Sequence, residues 1–314
     1  MAGMMVSRSL VVDGGRRLLK ARRHIMVLYI ANLLLGWFAT FGLSSRIGPV
    51  TGLSLNSERL VRGFDLGTFL ELVNKPEVAL YSQVPLGLAF SGMFVIFQLF
   101  LTGGIITQYL AAEHIDRSRF YAACGESFWR MVRVALIFVV ITALVAGAFY
   151  AFRAALDVAV ERSGHARTAF SLKSAVLLIE ALALLWIRMW FDVAQTDIVA
   201  SDARRVRSGV AYSFKSVRSA VGLYASYVLI GILMLLGTAF AVFLWWTAAP
   251  PSHVIISFLI LQSILAFLIA LRWWQRAVAA DWYPRNLPVR AAIQSAFLKP
   301  LPPESAVPEV PLSQ

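Results

Sequence analysis

Glu180 stands in an apolar stretch, flanked by Leu177, Leu178, Ile179 and Leu182. An ionisable group at the centre of a lipid bilayer costs about 2.5–3.5 kcal/mol on insertion scales. Such a carboxyl must face other helices and find a partner, or carry a proton. Two chemistries follow. Glu180 could be a proton, cation or substrate contact, or it could be a structural group hydrogen-bonded to an amide at similar depth, from Asn32, Gln98 or Gln262. Arg188 and Asp192 follow at i and i+4, a spacing at which helical side chains meet and could pair. Glu180 and Arg188 are two turns apart, about 12 Å along a helix axis, and cannot pair directly. Arg272 is a further polar residue in an apolar run.

Other chemistry has little support. The chain carries no G-x-x-x-x-G-K-[ST] phosphate loop, no H-E-x-x-H zinc helix and no G-x-S-x-G nucleophile turn. Its four histidines, His24, His114, His165 and His253, are never three to five residues apart, so no helix-face metal site is expected. The one cysteine, Cys124, cannot form an intrachain disulfide. The reading is a non-enzyme with no catalytic residues, cofactor or metal.

The elements that must position these residues follow from composition. Of 314 residues, 59% are hydrophobic and 15% charged. Such a chain cannot hide its apolar surface in water, which excludes a disordered chain, a disulfide scaffold and a soluble enzyme. A helix needs about 20 mostly apolar residues to cross the hydrocarbon core. Six segments qualify, near 25–43, 84–106, 134–152, 172–192, 222–246 and 254–274. Trp129, Trp186, Trp190, Trp245, Trp246, Trp273 and Trp274 lie at their ends, as interfacial aromatics do. The fold class expected is an all-α polytopic membrane bundle of six transmembrane helices, with cytoplasmic amphipathic linker helices. Three parts are expected: a basic cytoplasmic N-terminus, 1–24; the membrane domain, 25–298; and a Pro-rich disordered tail, 299–314. The first apolar run is too long for a cleaved signal peptide.

Orientation follows from loop charge. Alternate loops and the termini hold 21 Lys and Arg, against 8 on the other side, which predicts both termini in the cytoplasm. The net charge of +12 flanks apolar spans. It therefore points to the bilayer and its anionic head groups rather than to nucleic acid. The outer loop 44–83 contains a short amphipathic stretch from Asp65 to Val73, read as a surface helix or as a loop across the bundle mouth. Small-residue pairs, Gly87 with Ser91, Ala143 with Gly147, Gly222 with Ser226 and Gly237 with Ala241, predict close helix contacts.

The two inner loops share a motif. Asp116, Arg119, Ser127 and Phe128 recur as Asp202, Arg205, Ser213 and Phe214, at a constant offset of 86 residues. Spans two and three shift by the same offset onto spans four and five. An internal parallel repeat is expected, with units near 84–152 and 170–246. A looser third copy could follow span six through Asp281, Arg285 and Ser295-Ala296-Phe297. In both inner segments apolar residues recur at helical spacing opposite a basic face. Asp116 and Asp202 stand where each helix would begin, and each could pair with the Arg three residues on. Such a segment could hold a partner or anionic lipid, or it could be an elbow that fixes the angle between two spans.

The stretch Asp197-Ile198-Val199-Ala200-Ser201-Asp202-Ala203-Arg204-Arg205 to Ser213-Phe214 resembles a loose group of uncharacterised six-helix bacterial membrane proteins. Some relatives of that group are fused to glycerophosphodiester phosphodiesterases as a membrane domain. The resemblance covers residues 25–298. It implies a bacterial inner-membrane location and a non-catalytic module, and carries over no functional residue. Two functions are therefore expected as alternatives. One is a scaffold that binds anionic lipid, a membrane protein partner or a second copy of itself. The other is a small transporter or permease-like component with a polar site near Glu180.

Overall fold

The computed structural model describes residues 2–51, 67, 70–71, 80–111, 115–163, 166–202, 205–248 and 254–287. Eight helices are described: α1 (Ala2–Lys20), α2 (Arg22–Thr51), α3 (Leu80–Leu110), α4 (Arg117–Ser163), α5 (Ala166–Ala200), α6 (Val206–Val217), α7 (Val221–Ala248) and α8 (Val254–Asn286). No strand occurs among the described residues. Six of the helices, all but α1 and α6, are long and apolar enough to cross a membrane. The chain is a multi-pass, all-α membrane protein.

Each expected span lies inside one of these six helices, and the helices continue past it. The 47 residues of α4 rise about 70 Å, against a hydrocarbon core of about 30 Å. The outer loop 44–83 is shortened by α2, which runs to Thr51. Of the amphipathic stretch, Gly67, Leu70 and Glu71 are helical, and its other residues lie outside those described. The Pro-rich tail and Ser295-Ala296-Phe297 also lie outside them.

Helices α3, α5 and α8 pack on one another at the centre of the bundle. Around them α2 packs on α3, α4 on α3 and α5, and α7 on α8. Packing is tightest where α3, α5 and α8 end, which we call the elbow end. Leu101 to Ile106, Met189 to Ile198, Trp273 and Gln275 to Tyr283 are all buried there. Towards the opposite end, Leu88, Leu144, Tyr150, Leu235, Phe240 and Ile255 are exposed. An apolar exterior of this extent is what a lipid-facing belt requires.

Glycines mark the closest helix contacts, and they differ from those expected. A Cβ on Gly103 would overlap Ser127, and one on Gly104 would overlap Cys124 and Phe120. These two residues let α3 and α4 touch. Of the expected pairs, only Gly237 makes such a contact, with Phe267; Gly87, Gly147 and Gly222 face open space. The reason is position: Gly87 and Gly147 lie towards the open end, where the helices expose their flanks.

Three elbows close the packed end. The first is the start of α4, with Phe120, Cys124, Ser127 and Met131 buried. The second is α6, whose buried face is Val206, Gly209, Val210, Ser213 and Val217. Both faces follow the helical period read from the sequence. The two differ in continuity: the first elbow runs straight into its span, whereas a turn at 218–220 separates α6 from α7. Their contacts recur with the 86-residue offset. Phe128 packs on Phe100 at 6.2 Å between ring centroids, and Phe214 on Trp186 at 5.6 Å. Gly104 meets Cys124, and Trp190 Nε1 donates to the Val210 carbonyl at 2.9 Å.

The third elbow comes from the N-terminus. Helix α1 packs along α8 and α7. Trp274 Nε1 donates to the Val11 carbonyl at 2.9 Å, as Trp190 does to Val210. Gly14 sits so close to Val278 that a Cβ would clash. Helix α1, which carries most of the basic N-terminal residues, is thus packed against the bundle.

Candidate functional site

Asp192 is the centre of a buried polar cluster near the elbow end. It lies on α5 and is 2% exposed. Arg272 of α8 grips both carboxylate oxygens, Nη1 to Oδ2 at 2.5 Å and Nη2 to Oδ1 at 2.6 Å. Arg276, one turn on along the same face, places Nε 3.4 Å from Oδ1. Tyr227 of α7 donates its hydroxyl to Oδ2 at 2.8 Å. Three helices thus converge on one carboxylate. Arg276 also reaches α3, donating from Nη1 to Thr102 Oγ1 at 3.3 Å, and its guanidinium lies 4.4 Å above the Trp273 ring. Gln275 Oε1 accepts from Arg272 Nη1 at 3.4 Å. A planar guanidinium matches a carboxylate fork, and that match makes a pair this deep tolerable.

A second polar layer ties the elbows to this core. Tyr283 Oη donates to Asp197 Oδ1 at 2.7 Å, joining α8 to α5. Arg17 of α1 pairs with Asp281 of α8 at 2.8 Å and also donates to the Tyr109 carbonyl at the end of α3. Arg285 bridges Asp281 at 2.6 Å and Asp13 at 2.7 Å. The hydrogen bond from Arg285 holds the exposed Asp13 carboxyl below its usual range. A cavity of about 520 Å³ opens there, with Arg16, Arg17, Lys20 and Arg285 among its walls.

The structure redistributes the residues singled out in the sequence. Glu180 is buried at 8% exposure and faces other helices, as its cost in lipid demands. Its partner is Arg153 of α4 at 3.1 Å, an ion pair without hydrogen-bond alignment, and not an amide. Gln262 instead accepts from Tyr29 at 3.2 Å, joining α8 to α2. Gln98 lines a cavity of about 190 Å³ beside Arg272. Asn32 is half-buried on α2 and joins neither carboxylate. The pairing of Arg188 with Asp192 gives way to Arg272 and Arg276, which take the carboxylate across the bundle. Arg188 is half-buried one turn before Asp192.

The inner-loop motif is also reassigned. Asp116 precedes α4 as expected, but it accepts from Ser118 Oγ at 2.7 Å rather than pairing with Arg119. That bond, with the backbone N–H groups of Arg117 and Ser118, keeps its carboxyl below the usual range. Asp202 does not begin α6. It adopts a left-handed backbone at φ 46° and pairs with Arg130 of the other copy at 2.5 Å. Arg205 takes the N-cap position, without a side-chain cap. Ser127 donates to the Ala123 carbonyl, whereas Ser213 Oγ is buried without a partner.

The residues missed by the sequence reading are Arg276, Tyr227 and Thr102, and Arg272 was only a minor candidate. Arg272 and Arg276 at i, i+4 in an apolar run were a legible signal, masked by their place at the end of a span, where basic residues are ordinary. Comparison of the chain with family models, with curated proteins and with solved structures finds no match.

Proposed function

We propose that this chain is a non-catalytic membrane module whose elbow end faces the cytoplasm and binds anionic lipid head groups. The observation that carries the reading is the placement of exposed cations on the three elbows. Arg16 and Lys20 lie on α1, Arg119 on the start of α4, Arg207 and Lys215 on α6 and Arg218 just after it, all exposed. Each Lys or Arg near an anionic surface contributes about 1 kcal/mol. The polar core beneath is tied up in Asp192 and its partners, so the elbows are held at fixed angles. The Glu180–Arg153 pair favours a structural role for that acid over a transport pathway.

The location is the bacterial inner membrane with both termini in the cytoplasm. Reporter fusions at Ser163 and Gln314 should then give periplasmic and cytoplasmic signals respectively, and one signal at both sites would overturn the orientation. The lipid reading is tested by mass spectrometry of lipids that co-purify with the protein. Phosphatidylglycerol and cardiolipin should be enriched over the bulk membrane. The fourfold variant Arg119→Glu, Arg207→Glu, Lys215→Glu, Arg218→Glu should lose that enrichment while folding normally. Equal lipid composition in protein and bulk membrane refutes the reading.

A further inference from the structure

Four residues of α1, Asp13, Arg16, Arg17 and Lys20, follow one another at i, i+3, i+4 and i+7, so they share one face of the helix. All four line the cavity of about 520 Å³ at the third elbow, together with Asp281 and Arg285 of α8 and the end of α3. That volume falls in the range of ordinary ligand pockets, about 300–1,000 Å³.

The cavity does not balance its charge. Four cations and two carboxylates line it, which leaves two positive charges over. The carboxylates hold two of the arginines in place. Arg17 sets Nε 2.8 Å from Asp281 Oδ1 and donates from Nη1 to the Tyr109 carbonyl. Arg285 lies between Asp281 and Asp13, at 2.6 and 2.7 Å. Both guanidiniums are therefore ordered before any ligand arrives, which lowers the cost of binding one. The other two cations are less engaged. Arg16 meets Asp13 only at 3.5 Å, with its side chain 75% exposed. Lys20 is exposed and joins none of these pairs. A phosphate group offers several acceptor oxygens to such a set and matches the planar fork of an arginine.

The surroundings distinguish a lipid from a free anion. Val12 and Leu19, 50% and 67% exposed, stand seven residues apart on the strip of α1 that adjoins Arg16. An exposed apolar strip beside cations is how an interfacial helix meets a bilayer. A phospholipid with its phosphate in the cavity can lay its chains against that strip, whereas free phosphate would leave it uncovered. The surplus positive charge selects an anionic head group over a zwitterionic one.

We propose that this cavity holds the phosphate of one anionic phospholipid, with Arg16 and Lys20 contacting it beside the fixed guanidiniums of Arg17 and Arg285. The inference rests on the lipid reading above and narrows it from attraction along the elbows to a single saturable site on the third.

The test is heat unfolding of the delipidated, detergent-solubilised full chain, followed by tryptophan fluorescence. Titrants are phosphatidylglycerol and phosphatidylcholine in mixed micelles, inorganic phosphate, and sodium chloride at matched ionic strength. Phosphatidylglycerol should give a saturable rise in Tm beyond those with phosphatidylcholine and chloride. Lys20→Gln should weaken the apparent affinity about fivefold, the worth of one cation at an anionic surface, and Arg16→Gln by a similar factor. Neither should change Tm without titrant by more than a degree or two (~2 °C), since both side chains are exposed. Arg117→Gln, an equal loss of charge on an exposed residue of the first elbow, should keep the wild-type affinity. No saturable response to phosphatidylglycerol overturns the proposal, and a response to inorganic phosphate without one to the lipid overturns the head-group assignment. Unchanged affinity in both Lys20→Gln and Arg16→Gln, or an equal loss in Arg117→Gln, also overturns it. Anionic lipid that co-purifies with the protein yet gives no saturable response strikes this site and leaves the wider reading standing; absence of both strikes both.

Discussion

Asp192→Asn removes one charge and changes almost no volume, so it isolates the electrostatic role of the cluster. In the wild type the carboxylate accepts two bonds from Arg272 at 2.5 and 2.6 Å, one from Arg276 at 3.4 Å and one from Tyr227 at 2.8 Å. The amide keeps one acceptor and turns a donor towards the guanidiniums. Two arginine side chains, 16% and 9% accessible, are then left without a counter-charge. Breaking a buried pair in this way costs about 3–5 kcal/mol. For a chain of this size each kcal/mol is worth about 2–4 °C, so Tm should fall on the order of 10 °C. Arg276→Gln should cost less, about 1.5–3 kcal/mol, because Arg272 and Tyr227 still hold the carboxylate. Thermal unfolding in detergent, read by tryptophan fluorescence, ranks the variants. The reasoning is refuted if Asp192→Asn unfolds within two or so degrees of the wild type (~2 °C), or no lower than Arg276→Gln.

Three further outcomes are expected. Gly104→Val should cost at least about 3 kcal/mol or abolish folded protein, since its side chain would overlap Cys124 and Phe120 between α3 and α4; yield after size-exclusion chromatography reports it, and normal yield would contradict the packing. Glu180→Gln should cost no more than about 1 kcal/mol, because Arg153 is a third exposed and the pair lacks hydrogen-bond alignment; a loss as large as that of Asp192→Asn would make Glu180 the true polar centre. Acid should release α1. The Asp13 carboxyl is held below its ordinary value of 3.8 by Arg285, so its contribution is complete above that value and disappears as pH falls through the lowered one. Hydrogen exchange of residues 10–20 should therefore rise at the acid end, and in Asp13→Asn it should already be raised at neutral pH; identical pH profiles for the two proteins would exclude this latch.

The architecture was legible because its signals are local. Apolar runs of about 20 residues betray a span wherever its neighbours lie, since lipid leaves the backbone only the helix. The elbow faces were legible too: Phe120, Cys124, Ser127 and Met131, like Val206, Val210, Ser213 and Val217, keep the helical period and are buried as it requires. What the sequence could not determine was partner choice. Arg188 and Arg272 are both arginines near a span end, and spacing favours Arg188 as the partner of Asp192. Only the rotation and depth of α8 against α5 bring Arg272 to the carboxylate from 80 residues away. The same holds for Glu180, which three amides at plausible depth could have met and which Arg153 meets instead. The third elbow was hidden for a related reason. It belongs with α8 but is supplied by α1 from the other end of the chain, and no window along the sequence contains both Val11 and Trp274. Local periodicity sets which face of a helix is buried; which side chain it meets there depends on the relative height and rotation of whole helices, and those are fixed by the packing of the bundle as a unit.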